Sequence, residues 1–248
     1  MGDIEKNYED FISTVSHELR TPLTSIRGFS QTMLSSWDRL DDDSKKRFLK
    51  IIEEQSNRLI NLVENMLSVT RLSGGRDSLV LKEIVIKPVI DTVISVIKNQ
   101  YPDKNYEINI HEKTPTILAD KDKFQQVLTN IIENAAKYGE MNSSIKIETG
   151  FCKNCEFVSI KISNFGDEIK EEDYERIFTK FSRIDSPLTR RVQGSGLGLY
   201  ITKNLVEKMD GKIIVKSESF ENGKYLTTFE ILMPASDVEK QARVKCNQ

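Results

Sequence analysis

The spacing of apolar residues changes once along this chain, and that change constrains the fold more than any other feature. From Phe11 to Leu72 apolar residues recur every three or four positions, which is typical of amphipathic α-helices. After Ser73-Gly74-Gly75, short alternating or continuous apolar runs replace that pattern and are separated by further helical stretches. The chain is therefore predicted to form a helical segment followed by an α/β segment.

The helical segment contains two long patterns separated by a polar stretch, Asp38–Ser44, which offers several residues suited to a helix N-cap. Long helices joined by a short loop are expected to form an antiparallel hairpin. One hairpin buries only one apolar stripe, so we expect a second copy to complete a dimeric four-helix bundle through residues 10–72. The glycines after Ser73 are expected to end the second helix and to form a hinge.

The predicted organisation is a helical domain over residues 1–73, a linker over 74–77, an α/β domain over 78–235 and a polar tail over 236–248. In the α/β domain, residues 79–81 and 84–86 are each interpreted as strand because both are short apolar runs.

Composition excludes several classes of partner. Of the 248 residues 30% are charged, yet the net charge is only -2, so the chain has no basic surface expected for nucleic acid or for an anionic membrane. No apolar run approaches the roughly 18–20 residues that span a bilayer, and the N-terminus has no signal-peptide pattern. We therefore expect a cytoplasmic protein with no nucleic-acid partner and no membrane contact by this segment.

The three cysteines are too few for a disulfide framework in a chain of this length. Cys152 and Cys155 form a C-x-x-C pair at the tip of a predicted hairpin, but one pair supplies only two of the four ligands of a structural zinc site. Ordinary exposed thiols are the favoured interpretation, and His111 is expected to be structural or solvated.

His17 is the first candidate for chemistry. It lies two residues from both Val15 and Leu19, about 200° around a helix, so it is predicted to point away from the apolar stripe. Glu18 is adjacent, Thr21 is one turn further on, and a proline follows that loosens the turn. A neutral imidazole beside a carboxylate is a good nucleophile near pH 7. A plain solvated histidine on a kinked helix fits the same residues, so both readings stay open at this point.

Residues 11–24, FISTVSHELRTPLT, closely resemble the phosphoacceptor box of sensor histidine kinases of two-component systems. In that family the histidine attacks ATP, the adjacent acid activates it, and the threonine positions water for dephosphorylation of the partner regulator. The resemblance implies these roles for His17, Glu18 and Thr21, and a response regulator receiver domain as partner.

A second constellation lies on a predicted helix at residues 130–138, NIIENAAKY. Asn130, Asn134 and Lys137 fall within two turns on one face; an amide oxygen suits Mg²⁺, and the lysine could meet phosphates. A solvated polar helix face would look the same. The run resembles the asparagine box of the same kinases, which implies that Asn134 holds Mg²⁺, with Asn130 nearby, and that Lys137 and Tyr138 contact the phosphates of ATP.

The asparagine box also distinguishes this chain from other ATPases that share the same fold. Gyrase and the Hsp90 chaperones carry a water-activating glutamate where this chain has Asn130. An amide cannot act as a general base near neutral pH, so rapid ATP hydrolysis is not expected. Glu133 is the remaining candidate for a supporting role in catalysis.

Residues 193–199, QGSGLGL, run into a predicted helix, where glycines let backbone N–H groups approach phosphate. A dinucleotide-binding fold would need a strand just before this run. Residues 187–191 do not have a strand pattern, so that fold is disfavoured. The run resembles the second glycine box of the kinases. The resemblance implies a lid over about residues 183–194 and a contact from Arg183 to the terminal phosphate. It also implies nucleotide contacts from Gly194, Gly196, Leu197 and Gly198.

The segment 164–168 departs from the family pattern. The usual Asp-x-Gly-x-Gly motif has an aspartate that accepts from the adenine amino group; here Asn164 replaces that aspartate, Gly166 is kept and Glu168 replaces the second glycine. An asparagine oxygen can still accept this bond, but without the charge. From the sequence we expect weak ATP binding, a modest preference for ATP over GTP, and tighter ATP binding by Asn164→Asp.

The resemblance extends from about Phe11 to Pro234. It implies an ATP-dependent protein-histidine kinase with a helical hairpin followed by an α/β sandwich of the GHKL type, a mixed sheet with helices on one face. The implied reaction is Mg-ATP-dependent autophosphorylation on His17 and transfer to a regulator aspartate. Three alternatives stay open: a phosphatase-dominant sensor, which Thr21 permits; a scaffold without ATP binding; and an ATPase or chaperone, which Asn130 disfavours.

Overall fold

The structure is a computed structural model that describes residues 2–73, 78–151, 156–182, 195–220 and 223–236. The chain divides into two compact units, Met1–Gly74 and Gly75–Gln248. The first is helical and the second combines sheet and helices, so the predicted fold class is confirmed. The domain boundaries drawn from the sequence stay predictions.

The helical unit is a hairpin of α1 (Gly2–Ser36) and α2 (Asp42–Ser73), joined through a short 3-10 turn, Trp37–Arg39. Asp41 caps α2: the Ser44 backbone N–H donates to its carboxylate at 2.6 Å, and this bond lowers the pKa of Asp41. The chain therefore reverses direction at the polar stretch Asp38–Ser44 identified in the sequence.

The inner face of the hairpin is apolar. Five aliphatic side chains there are at most 7% exposed, and the rings of Phe29 on α1 and Phe48 on α2 pack with centroids 5.2 Å apart. The five are Val15, Met33, Leu62, Val69 and Leu72. Contacts between the two helices thus bury one stripe of each, as the three- and four-residue spacing predicts.

A second apolar stripe on each helix stays uncovered in the single chain. On α1 it consists of Ile12, Leu23 and Leu34, which follow one another about three helical turns apart and are 43%, 57% and 85% exposed. On α2 it consists of Leu49, Ile60, Val63 and Leu67, each between 43% and 55% exposed. Residues at these spacings share one face of a helix, so the exposed apolar side chains line one side of each helix.

The second unit is built on a five-stranded sheet. Its strands are β2 (Asn105–Asn109), β4 (Ser144–Phe151), β5 (Phe157–Gly166), β6 (Lys212–Ser219) and β7 (Tyr225–Pro234). Their order in the sheet is β2-β4-β5-β7-β6. β2 pairs with β4 in parallel and the other pairs are antiparallel, so the sheet is mixed, as expected.

Three helices cover this sheet: α3 (Ile86–Gln100), α4 (Lys121–Tyr138) and α5 (Gly198–Lys208). Helix α4 is central, because it contacts α3, α5, β4 and β5. Its apolar side facing the core is fully buried, as are the alternating isoleucines of β4 and β5 beneath it. These include Phe124, Val127, Leu128, Ile131 and Ile132 on α4, and Ile145, Ile147, Ile160 and Ile162 on the strands.

Two predicted strands are wrong. Residues 79–81 form no strand, and the run 84–86 is divided, since β1 (Lys82–Ile84) ends there and α3 begins at Ile86. Ile86 joins α3 because it completes that helix's buried face, and it is only 2% exposed. β1 pairs with β3 (Ile117–Ala119), a three-residue strand that sequence patterning missed.

Among the helices of the described ranges, none combines the length and the apolar character required to cross a bilayer.

Candidate functional site

His17 is exposed on α1, two residues from the buried Val15, as its helical position predicts. The imidazole makes no hydrogen bond within the described part of the chain. The Thr21 hydroxyl donates to the backbone carbonyl of His17 at 3.3 Å, which places Thr21 one turn further along the same face. The helix continues through Pro22 without a break. His17 therefore presents an accessible nitrogen nucleophile beside a hydroxyl group.

Glu18 is held from the second helix. A terminal nitrogen of Arg58 on α2 lies 3.2 Å from a carboxylate oxygen of Glu18, and both side chains are only about one-fifth exposed. The acid that sequence reasoning placed beside His17 is thus engaged inside the hairpin. Nothing in the local pattern could identify Arg58, because it lies 40 residues further along the chain.

In the second unit, helix α4 is fixed at its start by Asp120. Its carboxylate accepts from the backbone N–H groups of Asp122 and Lys123, and also from that of Val80. Burial raises the pKa of Asp120, but these N–H bonds outweigh burial, and the pKa lies below its usual value. The cap fixes where the helix begins, and so fixes which face carries Asn130 and Asn134.

Asn130 links α4 to the glycine box. Its Nδ2 donates to the carbonyl of Gly198 at 3.3 Å and to the hydroxyl of Thr202 at 3.2 Å. Thr202 is fully buried on α5 and was not foreseen, since its role depends on a partner on another helix. The structure therefore brings Asn130 and Gly198 together, and Asn130 ties α4 to the start of α5.

Asn134 and Lys137 lie on the next turns of α4. The Lys137 ammonium is 2.8 Å from the Glu133 carboxylate, which the Tyr101 hydroxyl also approaches at 3.5 Å. Burial, followed by the nearby charge of Glu133, raises the pKa of Tyr101 above its usual value, so its hydroxyl stays protonated as a donor. Within the described residues the half-buried amide of Asn134 has no hydrogen-bond partner, which leaves its oxygen available as a hard ligand.

The C-terminal end of α4 and the end of β5 approach closely. A side chain at Gly166 would place its Cβ 2.7 Å from the carbonyl oxygen of Tyr138, and one at Gly139 would lie 3.7 Å from the Cβ of Asn164. Asn164 itself is only 5% exposed. The structure thus brings Tyr138, Asn164 and Gly166 together, and glycine makes the approach possible.

Gly196 and Leu197 lead into α5. Gly196 has φ +67°, and a Cβ there would lie 2.7 Å from the carbonyl carbon of Phe181. Leu197 is fully buried and Gly198 begins the helix, so the first turn of α5 is fixed next to Asn130.

Some residues singled out from the sequence lie outside the described ranges. They are Arg183, Gly194 and the rest of the expected lid, the hinge glycines Gly74 and Gly75, and the pair Cys152 and Cys155.

Two family models match the chain. Residues 8–75 match the His Kinase A (phospho-acceptor) domain, and residues 119–237 match the histidine kinase-, DNA gyrase B- and HSP90-like ATPase family. The chain belongs to the histidine kinase family. ATP binding by the second unit follows from membership of its ATPase family.

Named relatives agree with this assignment. The chain is similar to the signal transduction histidine-protein kinase ArlS of Staphylococcus haemolyticus, with 34% identity over 235 residues that cover 94% of this chain and 50% of ArlS. ArlS of Staphylococcus aureus is 33% identical over 94% of this chain and 51% of its own length. The chain spans about half the length of these curated relatives.

Solved structures show the same fold. The Acinetobacter baumannii histidine kinase AdeS superposes with a TM-score of 0.66 at 22% identity, covering 89% of this chain and 98% of AdeS. The histidine kinase ThkA, in complex with the response regulator protein TrrA, superposes with a TM-score of 0.64 at 24% identity, covering 92% of this chain and 61% of ThkA.

Gly166→Ala is expected to disturb the junction of β5 and α4, where the sequence predicts nucleotide contacts. Its Cβ would press on the Tyr138 carbonyl oxygen, and relief requires the end of β5 to move away from α4. We expect the free energy of unfolding to fall by about 1–3 kcal/mol and ATP affinity to fall with it. Thermal denaturation and calorimetric ATP titration measure both quantities.

The matched control is Gly150→Ala on β4, where an added Cβ meets nothing within 4 Å. This variant should stay within about 0.5 kcal/mol of the wild type and bind ATP normally. Equal behaviour of the two variants would show that the approach of β5 to α4 does not shape the site.

Proposed function

We propose that this chain is the kinase core of a sensor histidine kinase, which phosphorylates its own His17 with ATP and passes the phosphoryl group to an aspartate of a response regulator. The observation that carries the proposal is the exposed imidazole of His17 on a phospho-acceptor helix, in one chain with an ATPase unit whose Asn134 amide has no partner among the described residues.

In the proposed step, a ring nitrogen of His17 attacks the terminal phosphorus of ATP. A nitrogen–phosphorus bond forms, the bond from phosphorus to the bridging oxygen breaks, and ADP leaves with that electron pair. Glu18 takes the imidazole proton, for which its carboxylate must first exchange Arg58 for His17. Transfer to an aspartate of a receiver domain would later regenerate His17, and Thr21 would orient a water that removes phosphate from that aspartate.

Residues of α4 and α5 fit a magnesium-bound triphosphate. We assign the metal to Asn134, whose partly buried amide oxygen is a hard ligand with no partner in the described ranges, and a phosphate contact to Lys137. Lys137 would exchange Glu133 for phosphate, and Tyr101 would then still donate to Glu133. Magnesium, when bound, neutralises phosphate charge. Gly196 and Gly198 keep side chains away from the start of α5, where N–H groups attract anions.

A homodimer through residues 10–72 completes the proposal. The uncovered stripes on α1 and α2 are regularly spaced along each helix, and a second hairpin would bury them in a four-helix bundle. A receiver domain is the proposed partner of that bundle. ThkA, which shares the fold, has been solved with the response regulator protein TrrA.

His17→Ala is expected to abolish phosphorylation by γ-labelled ATP, because it removes the only proposed nucleophile. The label on the wild type should be acid-labile and base-stable, as expected of a phosphohistidine. Calorimetry should find ATP binding unchanged in the variant, since His17 belongs to the helical unit. His111→Ala is the matched control and should label like the wild type; persistent label on His17→Ala would refute the assignment.

Asn134→Ala should weaken magnesium-dependent ATP binding by at least about tenfold, the scale set by loss of groups that support a metal site. The measurement is ATP titration at several magnesium concentrations, with circular dichroism to confirm folding. Asn109→Ala, at an exposed position on β2, is the control. Unchanged magnesium dependence in Asn134→Ala would place the metal elsewhere.

The dimer is tested by light scattering. At tens of micromolar the chain should have twice its 28.5 kDa mass. Ile60→Glu combined with Leu67→Glu should shift it toward the monomer, because both changes place charge on the uncovered stripe of α2. Val96→Glu, at a half-exposed position on α3, should leave the mass unchanged. A monomeric wild type would contradict the proposal.

A further inference from the structure

We infer that Arg58 is a positioning residue that slows autophosphorylation: its ion pair with Glu18 holds the carboxylate against α2 and away from the imidazole of His17. The inference rests on the proposed function in one respect, since it takes Glu18 as the group that accepts the imidazole proton. It goes further because it assigns a kinetic role to α2, a helix in which the sequence motifs identified no functional residue.

The ion pair lies at the edge of the buried face of the hairpin. Glu18 follows Val15 by three residues, and Arg58 precedes Leu62 by four; Val15 and Leu62 are 6% and 4% exposed. Residues three or four apart are neighbours on a helix surface, so both charged side chains border the contact between α1 and α2. The nitrogen and oxygen atoms are 3.2 Å apart. The Glu18 carboxylate is therefore turned toward α2.

His17 lies on a different side of α1. It follows the buried Val15 by two residues, about 200° around the helix, and it is exposed. Adjacent residues of a helix are about 100° apart and do not face each other, so Glu18 reaches the imidazole only if its side chain swings around the helix. That swing takes the carboxylate away from α2. The ion pair with Arg58 and proton transfer from His17 are thus alternatives for one carboxylate.

The reaction needs this carboxylate free. Once one ring nitrogen of His17 has attacked phosphorus, the imidazole is positively charged until its other nitrogen releases a proton to Glu18, and the electron pair of the broken N–H bond stays on the ring. Among the residues that the structure describes, Arg58 is the only one that forms an ion pair or hydrogen bond with the Glu18 carboxylate. Arg58 therefore sets how often that carboxylate is available.

The size of the effect follows from the exposure of the pair. Both side chains are about one-fifth exposed, so water reaches them and the pair opens and closes. An ion pair that water reaches favours its closed form by about two- to fivefold. Glu18 is then free in about one-third to one-sixth of the molecules, and the rate falls in proportion to that fraction.

Initial rates of phosphorylation of the full chain by γ-labelled ATP test the inference. Arg58→Gln removes the cation, so the maximal rate should rise by about three- to sixfold. The KM for ATP should stay unchanged, because Arg58 belongs to the helical unit. Arg58→Lys keeps a charge but loses the planar fork that fits a carboxylate, and its rate should rise less.

A double-mutant cycle separates release of Glu18 from a merely structural effect of Arg58. Glu18→Gln should slow labelling, and adding Arg58→Gln to it should bring no gain, because no carboxylate remains to be released. A gain that persists without the carboxylate would overturn the inference. If Glu18→Gln alone labels as fast as the wild type, Glu18 is not the proton acceptor, and the inference fails together with that assignment.

Arg47→Gln is the matched control. Arg47 is exposed and lies 11 residues before Arg58, about three turns away on the same side of α2, and this variant should label at the wild-type rate. Thermal melts check the fold of each variant; if Arg58→Gln does not fold, the rate of Arg58→Lys decides. A folded Arg58 variant that labels no faster than the wild type would overturn the inference and leave the kinase proposal intact. A wild type without label on His17 would instead refute the kinase proposal.

Discussion

The close approach of β5 to the end of α4 is the constraint on which the ATPase unit depends. Gly166 allows it, because a Cβ there would lie 2.7 Å from the carbonyl oxygen of Tyr138. The Glu140 N–H then donates to the Phe165 carbonyl, and this bond joins helix to sheet beside the proposed nucleotide site. The end of α4 and the end of β5 are thereby fixed to each other. Such a rigid junction suits a site that must hold polar groups in fixed directions.

Helix α4 shows how structure and chemistry can share one element. Its inward residues are fully buried, while the remaining faces carry the polar groups that reach its neighbours. Asn130 bonds to the start of α5, and Glu133 meets Tyr101 at the end of α3. A helix held at so many points fixes where the backbone of Asn134 lies, while the Asn134 amide has no hydrogen-bond partner among the described residues.

Much of this arrangement is predictable from the sequence, since helix periodicity and contiguous motifs are local properties. The exposure of His17 and the buried face of α4 follow from spacing alone. Prediction fails where a local pattern is ambiguous and where a contact joins residues far apart in the chain. Ile86 ends an apolar run that a strand and a helix fit equally well, and β3 has only three residues. Arg58 and Tyr101 meet their carboxylates from other helices, and the direction of the Asn164 amide is set by a backbone carbonyl. No sequence pattern encodes such contacts.

The pair between Glu18 and Arg58 has a consequence for how the helical unit responds to its surroundings. Both side chains are about one-fifth exposed, so dissolved ions reach the pair and screen its attraction. Higher ionic strength therefore releases the carboxylate more often, whereas the neutral bonds from Asn130 to α5 are largely indifferent to salt. The two contacts thus differ in electrolyte sensitivity: salt loosens the charge pair that holds Glu18, and it leaves the bonds between Asn130 and α5 largely unchanged.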